Sequence, residues 1–174
     1  MTTKDVEEWA VTKVKDAIIT SGYLDQFISE NDREPSFDGK INVYNSSNKT
    51  KADFVGSVNI QVKGTQTEDL SADVIKFDVD IIDLKAYLAN GGAIYFVVYV
   101  TSDYQYKIYY KSLLPVKIYG ILNNCTAIQK TKRLEFFAFP DNGNRKAEIF
   151  SNFYQNSKSQ HSFSEETMIS IAHY

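Results

Sequence analysis

Ala93-Ile94-Tyr95-Phe96-Val97-Val98-Tyr99-Val100 is almost continuously apolar and rich in β-branched and aromatic side chains. A short apolar run of this kind reads as a central strand buried on both faces. Just upstream, Asp83 to Asn90 reads as a short helix stopped by Gly91-Gly92. A helix that delivers the chain into a doubly buried strand is the usual route to parallel pairing. The rest of the chain fits around this unit. Val74 to Ile81 alternates well enough for a strand or a strand-to-helix approach. After a Thr-Ser-Asp turn, Tyr104 to Tyr110 reads as the next strand, and Leu113 to Leu122 as a helix with Pro115 in its first turn. Thr131 to Phe139 is a further strand, bounded by Pro140-Asp141-Asn142-Gly143. Arg145 to Gln155 is an amphipathic helix with Ala147, Phe150, Phe153 and Tyr154 on its apolar face and Ile149 to one side.

Toward the N-terminus, Asp5 to Ser21 reads as the first helix, capped by Thr2 or Thr3. Its stripe is Val6, Ala10, Val14, Ala17 and Ile18, with Val11 at the edge. At about 100° per residue Glu7 falls within that stripe and Glu8 well to one side. Gly22 to Pro35 reads as a connector carrying a short helical piece over Tyr23-Leu24-Asp25-Gln26-Phe27-Ile28. Two strands follow, Phe37 to Tyr44 and Ser57 to Gly64, joined by a polar hairpin loop from Asn45 to Asp53. The order predicts an α/β domain, a mixed central β-sheet flanked by helices on both faces. Residues 1–156 form the domain, and 157–174 a tail or the start of a linker to a missing C-terminal region.

Composition narrows the function. The chain has 174 residues, 43% of them hydrophobic and 24% charged, enough for one domain with a real core. The single cysteine, Cys125, excludes a disulfide framework and any cysteine-based metal cage; it reads as a small buried residue. No apolar run reaches membrane-spanning length, and no basic-then-apolar leader opens the sequence, so the expected location is cytoplasmic with no membrane partner. A net charge of −3 argues against a strong autonomous nucleic-acid binder, but leaves room for a domain whose substrate is held by another domain or subunit.

Chemistry concentrates on the two N-terminal strands. Strand side chains alternate, so Gln61 and Lys63 share one face while Val58, Ile60 and Val62 share the other. Asp38 opens the preceding strand. A carboxylate, a neutral oxygen ligand and a lysine held on adjacent strands suit a divalent-metal hydrolytic site. Mg²⁺ or Mn²⁺ would take Asp38, the side-chain oxygen of Gln61, the main-chain carbonyl of Val62 and Glu7 from the first helix, while Lys63 neutralises a phosphate or orients water. Blander readings stand beside these. Glu7 also suits the positive end of a helix as an exposed acid. Lys63 also suits a solvated edge, Gln61 a surface amide, and Asp38-Gly39 a turn. Lys49, Lys51, Lys130, Lys132 and Arg133 are the candidate phosphate contacts, or an ordinary solvated face. His161 and His173 lie in a patternless tail.

The pattern Glu7…Asp38…Gln61-Val62-Lys63 resembles the PD-(D/E)XK nuclease superfamily, which includes Mrr-like restriction enzymes and Holliday-junction resolvases. The stretch Ser57 to Thr65 is similar to the "vQvKgt" strand of small nuclease-like domains at the front of prokaryotic restriction and anti-phage defence proteins, and Ile108 to Leu122 is similar to those domains too. Gln61 stands where most of the superfamily has Asp or Glu, and Phe37, not Pro, precedes Asp38. The resemblance spans residues 5 to 155. It implies a restriction-endonuclease-like αβββαβ core with C-terminal additions. The implied activity is Mg²⁺- or Mn²⁺-dependent DNA cleavage, as the effector part of a restriction or antiviral defence protein that works as a dimer or within a longer chain. The alternative is a nuclease-like module that binds or assembles without cutting.

Overall fold

The computed structural model describes residues 1–29 and 35–160. Its elements are α1 (Thr3–Ile19), β1 (Leu24–Ile28), β2 (Gly39–Tyr44), a 3-10 turn (Lys51–Asp53), β3 (Phe54–Gln66), β4 (Val74–Asp80), α2 (Ile81–Ala89), β5 (Ala93–Val100), β6 (Tyr106–Leu113), α3 (Pro115–Asn123), β7 (Thr131–Ala138) and α4 (Gly143–Ser159). The strands form one seven-stranded mixed sheet in the order β1-β2-β3-β5-β6-β7-β4. β3 and β5 pair in parallel; the other ladders are antiparallel. The chain is therefore α/β, as its helix-to-strand rhythm predicts.

β5 shows why. Ile94, Phe96, Val98 and Val100 point into a core shared with Val6, Ala10, Val14 and Ile18 of α1 and Phe150 and Phe153 of α4. Ala93, Tyr95 and Val97 point into a second core with Leu84, Tyr87 and Leu88 of α2 and Ile118 of α3. Both faces of one strand are covered by helices, so period-two alternation is invisible in its sequence and every position is apolar. Among the described residues no helix is long and apolar enough to cross a membrane.

Several expectations need correction. Tyr23 to Ile28 is not helical: Leu24–Ile28 is an edge strand, so four strands, not three, separate α1 from α2. Tyr104 is in a turn with φ of 65°, and the strand starts at Tyr106. α4 runs past the expected boundary at residue 156, to Ser159. Cys125 is only half-buried; its Sγ donates to the Ile121 carbonyl at 3.3 Å. His161 and His173 lie outside the described residues.

Candidate functional site: a cleft at the fork of the sheet

β3 changes partners along its length. Its first half pairs with β2, ending at Gly39↔Ile60. Its second half pairs with β5, starting at Ile60↔Ile94. Past Ile60 the edge of β3 facing β2 has no strand beside it among the described residues. That leaves the Val62 N–H needing an acceptor, since a buried orphan donor is costly. Asp38, the residue just before β2, provides it: Val62 N–H donates to Asp38 Oδ2 at 2.7 Å. In an extended strand the N–H and C=O of one residue leave by the same edge, so the Val62 carbonyl also faces this opening.

The Asp38 backbone is held from both sides. Its N–H donates to the Ile60 carbonyl, and its carbonyl accepts from Ser29 N–H, each at 3.0 Å. Gly39 makes the crossing possible: a Cβ there would sit 2.2 Å from the Phe27 carbonyl oxygen of β1. Asp38-Gly39 is thus a strand entry wedged between two neighbours, not a free turn.

α1 closes the cleft. Thr2 and Asp5 form a reciprocal capping box, Thr2 N–H to Asp5 Oδ2 at 2.7 Å and Asp5 N–H to Thr2 Oγ1 at 3.1 Å, fixing the first turn. The helix lies close on β3 because Gly64 has no side chain; a Cβ there would meet the Val6 carbonyl oxygen at 2.8 Å and the Ala10 Cβ at 3.0 Å. The result is a cleft of about 270 Å³ lined by Lys4, Glu7, Glu8 and Val11 of α1, Ser29, Asp38, and Gln61, Val62 and Lys63 of β3.

The sequence-chosen group Glu7, Asp38, Gln61, Val62 and Lys63 therefore meets at one place. Two details differ from expectation. Glu7 is exposed, not on the buried face of α1: the buried stripe is Val6, Ala10, Val14 and Ile18, and Glu7 stands at its rim over the cleft mouth. Glu8 lines the cleft as well, with Lys4 Nζ 3.7 Å from its carboxylate. Lys4, Glu8 and Ser29 were not singled out in the sequence, since each belongs to the cleft only through the fold.

Gln61 is buried, at 6% exposure, rather than set on a solvated face. Its Oε1 is enclosed and, among the described residues, accepts no hydrogen bond. An enclosed amide oxygen with free lone pairs, beside a carboxylate and an edge carbonyl, is a hard-oxygen environment with an unmet need for a donor or a cation. The residues present therefore fit a Mg²⁺- or Mn²⁺-type ion. Among the described residues, no three His, Cys, Asp or Glu side chains converge into a ready-made cage. The donor set is accordingly mixed, with carboxylate, amide and main-chain oxygens.

The expected phosphate contacts are split. Lys49 and Lys51 sit in the β2–β3 connection, while Lys130, Lys132 and Arg133 lie on or beside β7, near the opposite edge of the sheet. Lys49 Nζ is engaged with the Leu24 carbonyl at 3.0 Å and Asp25 at 2.9 Å, and Arg133 pairs with Asp78 at 3.4 Å. Among the described residues, the basic groups at the cleft itself are Lys4 and Lys63.

In comparisons with known proteins, no family model, no curated protein and no solved structure matches this chain significantly.

Proposed function

We propose that the cleft at the β3 fork is a divalent-metal-dependent phosphodiesterase site, acting on DNA. The observation that carries this reading is the meeting of Asp38, Gln61, Val62 and Lys63 on one strand edge, with Glu7 brought over it by α1. Asp38, Gln61 Oε1 and the Val62 carbonyl would hold Mg²⁺ or Mn²⁺, with Glu7 at the mouth. The ion, when bound, would lower the pKa of an attacking water and offset charge developing on phosphate. Asp38 is kept in place by its three backbone contacts, so its carboxylate needs no reorganisation on binding. Lys63, half-buried on β3, sets a positive charge beside the substrate phosphate, and Lys4 a second across the cleft. Glu7 is placed to accept a proton from water at the mouth.

DNA as substrate, a role in prokaryotic restriction or anti-phage defence in the cytoplasm, and pairing of two sites for two strands belong to this proposal through the resemblance of Gln61-Val62-Lys63 and its setting. With an acidic net charge of −3, this reading requires DNA to be held by another domain or a partner copy, and the same charge favours the second reading below. A second reading, a module that binds without cutting, is favoured by Gln61 itself, an amide where a second carboxylate would strengthen the metal site.

The test is plasmid nicking with Mg²⁺ or Mn²⁺. Cleavage that is lost in Gln61→Ala and Lys63→Ala, with unchanged circular dichroism, supports the hydrolytic reading. Cleavage that survives Lys63→Ala and chelation overturns it, and metal binding without cleavage favours the second reading.

A further inference from the structure

Among the described residues, the enclosed side-chain polar atoms without a hydrogen-bond partner are Trp9 Nε1, Gln61 Oε1 and Tyr87 Oη. Two of the three belong to one neighbourhood. Tyr87, on α2, lies at 0% exposure against the inner face of the sheet. Its ring packs edge-on against Phe37, centroids 5.3 Å apart, and against Tyr95 at 6.3 Å. Phe37 is the chain neighbour of Asp38, and Tyr95 is the ladder partner of Gln61. Alternation on β3 turns Gln61 away from Val62, whose side chain packs in the α1–α4 core, and so toward the face that carries Tyr95 and Tyr87. Tyr87 thus packs on the chain neighbour of Asp38 and on the ladder partner of Gln61.

The two orphans are complementary. Burial pushes the Tyr87 phenol far above its ordinary range, with the carboxylates of Asp83 and Asp38 adding to the effect, so it stays protonated and offers a donor. Gln61 Oε1 offers two lone pairs and no donor. An enclosed polar atom without a partner is destabilising, and these two lie on elements joined through Tyr95, which packs on Tyr87 and pairs with Gln61.

We propose that Tyr87 is a positioning residue for Gln61: its hydroxyl donates, through one internal water, to Gln61 Oε1 and fixes which end of the amide serves the cleft. One lone pair is taken from behind, and the second is left for a cation. This is the outer-shell support that oxygen and imidazole ligands receive in metal sites generally, and a water held by two or more polar partners is an ordinary interior feature. The proposal rests on the cleft reading for its consequence on metal affinity, but the Tyr87–Gln61 link exists with or without metal.

The experiment uses the intact chain and Tyr87→Phe, which keeps the ring and removes only the oxygen. The first readout is metal-free: the Gln61 side-chain amide proton signals, assigned by their loss in Gln61→Ala. Tyr87→Phe is expected to shift these signals and speed their solvent exchange about tenfold; identical signals and exchange in both proteins overturn the link. The second readout is Mn²⁺ titration of wild type, Tyr87→Phe, Gln61→Ala and the double variant. Tyr87→Phe is expected to weaken Mn²⁺ binding about tenfold in the wild-type background and not at all in Gln61→Ala. Equal loss in both backgrounds indicates a merely structural tyrosine and overturns the proposal. If wild type binds no Mn²⁺, the metal reading of the cleft fails, and the amide signals alone decide the role of Tyr87.

Discussion

Val62 N–H and Asp38 Oδ2 lie 2.7 Å apart, and this bond joins the end of one ladder to the start of the site. The carboxylate has a structural role at the fork, standing where β3 has no strand neighbour past Ile60 among the described residues. Stability and chemistry are therefore separable at this position. Asp38→Ala leaves the Val62 N–H without its acceptor and is expected to cost about 1–3 kcal/mol in urea unfolding. Asp38→Asn retains a carbonyl oxygen to accept that bond and is expected to keep most of the stability while losing metal binding and cleavage. Amide exchange at Val62 checks the first part: it should accelerate in the alanine variant and stay slow in the asparagine variant.

Gly64 sets the height of α1 over β3. With a Cβ at this position 2.8 Å from the Val6 carbonyl oxygen, Gly64→Ala forces the helix outward, and Gly64→Val more so. Overpacking of this kind costs about 1–3 kcal/mol. Because Lys4, Glu7 and Glu8 ride on the same helix, a stably folded Gly64→Ala should also show weaker Mn²⁺ binding than wild type. Thermal melting and a Mn²⁺ titration on one sample measure both effects.

Most of the sheet and the strand-borne part of the cleft lining are legible in the sequence because both are written in local period. Val58, Ile60 and Val62 alternate with Gln61 and Lys63, and the pleat carried that alternation into the fold unchanged. Leu24 and Ile28 show where local period fails: buried positions four apart satisfy a helix as well as a strand, and Phe27 between them is exposed on an edge strand, so the pattern gives no decision. Glu7 fails for a different reason. The wheel places it within the apolar stripe, but at that rim α1 faces the opening of the fork rather than a packed wall. Tyr87 was out of reach altogether, since its relation to Gln61 passes through Tyr95 on a third element.

Lys49 and Lys51 separate a structural lysine from a solvated one within three residues. Lys49 Nζ bonds to the Leu24 carbonyl and Asp25, tying the β2–β3 connection to edge strand β1, whereas Lys51 is exposed. Lys49→Ala is expected to lower stability by about 0.5–1 kcal/mol, the scale of a partly exposed ion pair. It should leave the salt dependence of DNA binding unchanged. Lys51→Ala should leave the urea midpoint unchanged. A loss of DNA affinity in Lys49→Ala without a stability change would contradict this assignment.

Lys111 gives the chain a signature at alkaline pH. Its side chain is buried on β6, its Nζ lies 5.8 Å from the Phe137 ring centre, and among the described residues no carboxylate forms an ion pair with it. Burial pushes its amine down to about 8 from the ordinary 10.5; the neighbouring Lys117 charge adds to the shift and Glu135 opposes it. Between these two values the unfolded chain holds a Lys111 proton that the folded chain has released, so the contribution of this group to stability rises with pH across that window; the buried Tyr87, Tyr95 and Tyr109 phenols, raised by burial, act in the opposite sense near and above pH 10. Below pH 8 both states are protonated, and the folded state bears the full cost of a desolvated ammonium. Lys111→Met, similar in length and apolar, is therefore expected to raise the melting temperature at pH 7, with that advantage over wild type shrinking between pH 8 and 10.5. Parallel melts of the two proteins from pH 7 to 10.5 test this. A melting difference between the two proteins that stays constant across that window, or a methionine variant that melts lower at pH 7, would show that Lys111 carries no such cost.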